Sequence, residues 1–166
     1  MLRLIVVAIK SIFSPKKNLD DTCTLKMRVW LNDIDLNFHM NNAKYLTMGT
    51  LGRLWYARRT GLFSAIRKAG LGLVIVGTHI TYHKSLLPFS TYQLKTKMVG
   101  WDESWFYFEQ RFEQKDKVVA RLLVRMVFMK SGKRLNNEQA ALALRLSNVV
   151  RAVDPEISKR LDPIAS

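Results

Sequence analysis

Between Leu73 and Lys130 the chain runs through four strand-like stretches in succession: Leu73 to Leu86, Tyr92 to Trp101, Ser104 to Gln114 and Val118 to Lys130. They are punctuated only by LLPFS, GWDES and QKDK. None of these breaks can hold the helix that carries a chain back across a parallel sheet, so the runs are expected to form an antiparallel meander. Before them, Thr22 to Leu31 alternates Cys23, Leu25, Met27 and Val29 with Thr24, Lys26 and Arg28, the pattern of a half-buried strand. From Asn42 to Arg59 the period becomes helical, with Tyr45, Met48, Leu51, Leu54, Trp55 and Arg58 at three- and four-residue steps and Asn41 or Asn42 placed as cap. Gly61 interrupts it, and LFSAIRKAG gives a further helical turn or two closed by Gly70. A last helix is predicted over NNEQAALALRLSNVVRAV, capped by Asn136 or Asn137 and ending before Asp154-Pro155, with an irregular tail to Ser166. Strand, long helix, four strands, helix is the order of an α+β fold in which an antiparallel sheet rolls around one central helix.

At 166 residues and 48% apolar content the chain can bury a real core and is too apolar to stay disordered. We read one domain over residues 22–152, an amphipathic segment and linker over 1–21, and a tail over 153–166. The first seventeen residues, MLRLIVVAIKSIFSPKK, hold an apolar run from Leu4 to Ile9 between Arg3 and Lys10, with Pro15, Lys16 and Lys17 beyond. That run is far shorter than the ~20 apolar residues needed to cross a bilayer. Lys10 cuts it short and no small-residue cleavage site follows, so it makes a poor signal peptide. Two readings stand: a short amphipathic helix packed on the domain or a partner subunit, or an interfacial helix that holds the protein peripherally at the inner face of a membrane. The single cysteine, Cys23, excludes an intramolecular disulfide, and no Cys/His cluster has zinc spacing. No metal is expected, and a reducing, cytoplasmic setting fits.

The formal charge of +14, from 27 basic and 13 acidic residues, favours an anionic partner. Much of the bias lies in Leu36 to Trp101, 66 residues with no Asp or Glu and nine Lys or Arg: Lys44, Arg53, Arg58, Arg59, Arg67, Lys68, Lys84, Lys95 and Lys97. These can meet phosphates or an acidic protein surface, or simply form a solvated basic face. GLGLVIVG lacks the spacing of a phosphate loop and the helix that should follow one. No RNA-binding signature is present, which leaves nucleic acid the weakest candidate partner.

The chemistry concentrates in DIDLNFHMNNAKY, Asp33 to Tyr45: two acids, three asparagines and a histidine in thirteen residues. In an extended segment, alternate positions project to one side, so Asp35, Asn37 and His39 are expected to converge on a common space. A carboxylate there can act as base or nucleophile while an imidazole or amide orients the reactants. The helix beginning near Asn42 offers amide N–H groups that have no intrahelical acceptor and can polarise a carbonyl oxygen as charge builds on it. Asn41 and Asn42 read first as caps, Asp33 as a turn acid bonded to nearby backbone, and His39 serves equally well as a structural histidine. Asp35 resists a bland role best, as the last acid before the 66-residue basic stretch.

This order of elements, with DIDLNFHMNNAKY leading into the long helix and VGWDESWFYFEQRF in the strands, resembles the hotdog-fold thioesterases of the 4-hydroxybenzoyl-CoA type, over roughly Thr24 to Lys130. In the bacterial enzymes of that type, the second acid of an Asp-x-Asp pair is the catalytic carboxylate, which falls here on Asp35. The plant acyl-ACP thioesterases carry Asp-x-Asn-x-His-Val-Asn-Asn, matched here by Asp35, Asn37, His39, Asn41 and Asn42 with Met40 in place of Val. The resemblance implies hydrolysis of acyl-CoA or acyl-ACP and no cofactor beyond coenzyme A as part of the substrate. It also implies a homodimer or dimer of dimers, with sheets paired edge to edge and sites at the subunit junction. Under that reading Asp35 is base or nucleophile, Asn37 and His39 orient, and Asn41 and Asn42 mark the oxyanion site. Tyr45, Thr78, His79 and Thr81 are expected to contact substrate, Trp55, Tyr56, Leu62 and Phe63 line an acyl tunnel or serve as ordinary core, and His83 is surface. The alternative is a hotdog protein that binds acyl thioesters or lipids without turning them over.

Overall fold

A computed structural model describes residues 2–146 and 153–161. Its antiparallel sheet takes the order β1-β3-β4-β5-β2, from β1 (Cys23–Arg28), β2 (Gly72–Tyr82), β3 (Thr91–Trp101), β4 (Phe106–Gln114) and β5 (Lys117–Lys130), with short β6 (Lys133–Arg134) paired to β5. The three strands joined by short turns, β3 to β5, form the predicted meander. The first run departs from it: β2 pairs with β5 on the far side, and β1 takes the place beside β3. LLPFS, which the sequence presents as punctuation, belongs to a crossing segment. Leu86 is fully buried and its carbonyl accepts from the Met40 N–H at 2.8 Å, while the Phe89 N–H donates to the Val29 carbonyl at 2.9 Å. The crossing is stable because its backbone groups are satisfied by the loops it passes.

Helix α2 (Asn42–Arg59) lies on the inner face of the sheet. Its N-cap is Asn41, whose side chain accepts from the Ala43 N–H at 2.8 Å; of the predicted stripe Tyr45, Met48, Leu51 and Trp55 are buried and Leu54 and Arg58 half-buried, and Tyr56, outside that stripe, is buried as well. Two glycines let it press close. A Cβ on Gly49 would lie 2.7 Å from Leu122, and one on Gly52 would lie 2.7 Å from each of Leu94, Thr96 and Gln110. Gln110 on β4 fills the contact: its Nε2 donates to the Gly49 carbonyl at 2.9 Å and to Thr96 Oγ1 at 3.0 Å, and its Oε1 accepts from Arg53 at 2.6 Å. A buried amide costs little when all its groups are bonded, and here it fixes the helix to the sheet.

Helix α1 (Leu2–Ile12) packs beside α2 and runs parallel to it, with Arg3 at Met48 and Ser11 at Arg58. Helix α3 (Leu62–Lys68) follows Gly61, whose φ of 79° makes the turn. Helix α4 covers only Asn137–Ala143, because Arg145 adopts a φ of 58° that no helix continues; the remainder of the long helix expected there falls on 147–152, outside the described residues. Helix α5 (Pro155–Leu161) occupies part of the tail expected to be irregular. Asp154 caps it through the Glu156 N–H at 2.9 Å, Pro155 takes the first turn, and Ile157 and Leu161 bury against Tyr107 and Leu123 on the outer face of the sheet. Among the described residues no helix is long and apolar enough to cross a membrane.

Candidate active site at the start of the central helix

Residues 34 to 40 form a small closed loop rather than an extended segment. Ile34 bridges Met40 in antiparallel fashion, the Asp35 N–H donates to the His39 carbonyl at 3.0 Å, and the Phe38 N–H donates to the Asp35 carbonyl at 3.1 Å. Phe38 makes the turn at a φ of 55°, an uncommon conformation for a side chain of this size. The Asp35 carboxylate supports it by accepting from the Asn37 N–H at 2.9 Å, a bond that Asp and Asn both make well. The loop therefore folds Asp35 and His39 toward each other, with Nδ1 3.6 Å from Oδ1 and both side chains partly exposed. That spacing is an ion-pair approach when the imidazole is protonated, and it is longer than a hydrogen bond. Asn37 contributes its backbone to this pair, while its side chain is exposed. The convergence expected of three alternating side chains is thus a pair made by a turn.

Met40 ties the loop to Leu86, and the Asn41 N–H donates to the Asp33 carbonyl at 2.8 Å, which sets the start of α2 beside the end of β2. Between them lies a cleft of about 200 Å³ lined by His39, Met40, Asn42, Tyr45, Tyr82, His83, Lys84 and Ser85. Within the first turn of α2, Ala43 is bonded to the Asn41 side chain and Lys44 to the Asn41 carbonyl. Asn42, at the first helical position, has an amide with no acceptor inside the helix. Tyr45 packs edge-on against Tyr82 at 5.1 Å and Phe112 at 5.0 Å, and burial raises the pKa of its phenol above the usual tyrosine range.

The β2 residues divide by the pleat. Tyr82 and Ile80 face α2, so His79 and Thr81, 3.3 Å apart, turn to the opposite face of the sheet and away from the cleft. Thr78 shares the face of Tyr82 but is four residues up the strand, about 13 Å away. His83 is exposed, as expected, and also lines the cleft with Lys84 and Ser85. The signal was the motif's own neighbour: a polar HKS run directly after a strand whose inner face meets the helix.

Asp33 has a role that the sequence did not suggest. It is 2% exposed, and beyond the local bond from the Trp30 N–H at 2.9 Å its two carboxylate oxygens accept from both terminal nitrogens of Arg3 on α1. Of the nine cations in the acid-free stretch, Lys84 lines the cleft, Lys95 is paired with Glu113 at 2.5 Å, and Arg53 is tied to Gln110 and Thr50. Burial lowers the Arg53 pKa to about 10. Trp55, Tyr56 and Leu62 are buried in the main core. Among the described residues no three His, Cys, Asp or Glu side chains are grouped so as to hold a metal ion.

The family model of the thioesterase-like superfamily matches residues 29–161. Protein THEM6 of Danio rerio is 39% identical over 115 residues, 69% of this chain and 57% of that protein. Protein THEM6 of Xenopus laevis is 38% identical over 94 residues, 56% of this chain and 45% of that protein. The chain spans about half the length of the curated relatives it matches. Among solved structures, Slr0204, a 1,4-dihydroxy-2-naphthoyl-CoA thioesterase from Synechocystis, aligns with a TM-score of 0.64 at 15% identity, covering 76% of this chain and 97% of that one. At that identity the likeness is one of fold: an antiparallel sheet around a central helix, the hotdog fold.

Proposed function

The chain belongs to the thioesterase-like superfamily, and from that premise we propose that it hydrolyses an acyl thioester, acyl-CoA or acyl-ACP, to a free carboxylic acid and a thiol. The observation that carries the reading is the Asp35–His39 pair, 3.6 Å apart, next to the N-terminus of α2 and the cleft that His39 lines. Asp35 takes a proton from water as the water oxygen attacks the thioester carbon, or attacks that carbon itself to give a mixed anhydride that water then opens. In either route the C–S bond breaks and the sulfur leaves with a proton as free thiol. The Asn42 amide, at the positive end of the α2 dipole, faces the developing oxyanion. His39 orients water or substrate, and the Asn37 amide holds the Asp35 carboxylate in place. Tyr45 and Tyr82 take the acyl group, and Lys84 takes a phosphate of coenzyme A or an acid of the carrier protein. We assign no metal and no resident cofactor, and a cytoplasmic setting in keeping with the free, buried Cys23.

We further propose that the working unit is a homodimer joined along β2. That strand ends the sheet, and its Leu73, Val74, Ile75 and Val76 are 39% to 44% exposed, an apolar edge that soluble proteins ordinarily cover. Tyr82 lines the cleft from the same strand, so pairing at β2 sets a second subunit close to the site.

The test is steady-state hydrolysis across a panel of acyl-CoA chain lengths, with free thiol detected. The Asp35→Asn variant keeps the turn, because an amide oxygen also accepts the Asn37 N–H, and loses kcat by about 10²–10⁴-fold. Wild-type turnover from folded Asp35→Asn overturns the assignment. A wild-type protein that binds acyl-CoA and turns none over is instead a thioester-binding hotdog protein.

A further inference from the structure

Helix α1 is held to the protein by one side only. Arg3 grips Asp33, Val7 and Ser11 are buried, and Ser11 Oγ accepts from Arg58. At 100° per residue these three positions share one face of the helix. Leu2, Ile5, Val6, Ile9 and Ile12 fall on the opposite face, within an arc of about 120°, and are between 40% and 76% exposed, and Phe13, just past the helix end, is 84% exposed. The chain beyond the helix is fastened too, since the Lys17 N–H donates to the Arg59 carbonyl at 3.0 Å. The apolar stripe is therefore presented outward by an anchored helix and is no part of the core it leans on.

The charges beside the stripe all have one sign. Residues 1–19 contain Arg3, Lys10, Lys16 and Lys17 and no acid. Asp33 neutralises Arg3, which leaves the exposed Lys10 within the helix and the exposed Lys16 and Lys17 just after it, where Lys16 also donates to the Arg58 carbonyl at 3.4 Å. A second copy of the same helix would bring these cations together with no carboxylate on either helix to separate them, on a chain already at +14. An anionic lipid surface satisfies both features at once: acyl chains for the stripe, headgroup charge for the lysines. At 11 residues the helix is about 16 Å long, too short to span a bilayer and suited to lying in its interface.

We propose that the outward face of α1 is a docking surface for anionic phospholipid bilayers. It needs no unfolding of α1, because the face buried against α2 and the face presented to lipid are different. The site consequence is proximity: Arg3 ties the docked helix to Asp33, two residues from Asp35. The docking itself does not depend on the reaction assigned above.

Co-sedimentation of the full chain with vesicles tests it. The protein is expected to partition onto equimolar phosphatidylcholine–phosphatidylserine vesicles and much less onto phosphatidylcholine alone, with binding that weakens as salt rises. Ile5→Glu/Ile9→Glu, at exposed positions that leave thermal unfolding unchanged, is expected to reduce partitioning at least ~10-fold, given what half-immersed isoleucines contribute. Lys16→Glu/Lys17→Glu, which leaves the stripe intact, is expected to remove the preference for phosphatidylserine. Failure of the wild type to bind the mixed vesicles overturns the proposal, as does unaltered binding by Ile5→Glu/Ile9→Glu. A fall in oligomeric mass of that variant without lipid would assign the face to a protein contact and overturn it equally.

Discussion

Asp33 and Asp35, two residues apart, aim their carboxylates in opposite senses: Asp33 inward to Arg3, Asp35 outward to His39. One fastens α1 to the domain and the other pairs with His39, which lines the cleft. Their substitutions should therefore separate stability from chemistry. Removing one member of a buried ion pair costs ~3–5 kcal/mol, and the quarter-exposed Arg3 side chain reduces this to about 2 kcal/mol. Asp33→Asn is expected to lower Tm by roughly 4–8 °C and to leave kcat much closer to wild type than Asp35→Asn does. Differential scanning calorimetry beside thiol-release kinetics checks both halves. If Asp33→Asn melts like wild type, the Arg3 pair is not holding α1.

The contact between α2 and the sheet should tolerate no side chain at Gly52. An alanine methyl there would sit 2.7 Å from atoms of Leu94, Thr96 and Gln110, all on packed strands. The helix-propensity gain of ~0.5–1 kcal/mol is outweighed by overpacking of ~1–3 kcal/mol. Gly52→Ala should unfold at lower denaturant with an unchanged m-value; a stabilised variant would mean that the helix can lift off the sheet freely.

Recruitment of a phosphate-bearing or acidic substrate by Lys84 and its basic surroundings should show in KM. Raising salt from low to moderate is expected to increase KM while kcat stays nearly constant, because screening weakens encounter more than chemistry. Lys84→Ala should raise KM and flatten that dependence. A KM indifferent to both counts against electrostatic recruitment.

Pairing along β2 should be sensitive to charge on that edge. Val74→Lys/Val76→Lys adds two like charges per subunit to a strand whose apolar residues are otherwise exposed. Light scattering should give twice the monomer mass for wild type and the monomer mass for the variant. Two species of equal mass would place any oligomer contact elsewhere.

Alkaline pH should unfold the protein through its buried phenols. Burial raises the pKa of Tyr45, Tyr56 and Tyr92 above the ordinary 10.0, so the unfolded chain ionises first and binds fewer protons than the folded one. The stability that these phenols contribute is complete below pH 10 and falls as pH rises toward the folded values. A Tm that holds steady above pH 10 would show that these hydroxyls ionise in place.

The sequence by itself determined what local pattern and chemistry can fix. The period from Asn42 to Arg59 gave α2 its limits and its buried stripe, Asn41 its cap, and the short turns after Trp101 and Gln114 the pairing of β3, β4 and β5. Asp35 and His39 stood out for a chemical reason: so dense a polar cluster between an apolar strand and an apolar helix serves neither the core nor a regular element. What the sequence could not fix depended on partners distant along the chain. The place of β2 beside β5 is decided by which edge its backbone can bond, and neighbouring sequence carries no record of that choice. The same pairing, read through the pleat, turned His79 and Thr81 from the cleft and brought His83 to it. Asp33 looked like a turn acid because Arg3, its partner, lies thirty residues away. The Asp35–His39 pair came from a turn closed by an unusual φ at Phe38, where extended geometry would have aligned three side chains. Periodicity reports which face a residue occupies; only the folded chain, by satisfying each backbone group and charge with a particular distant partner, decided what that face meets.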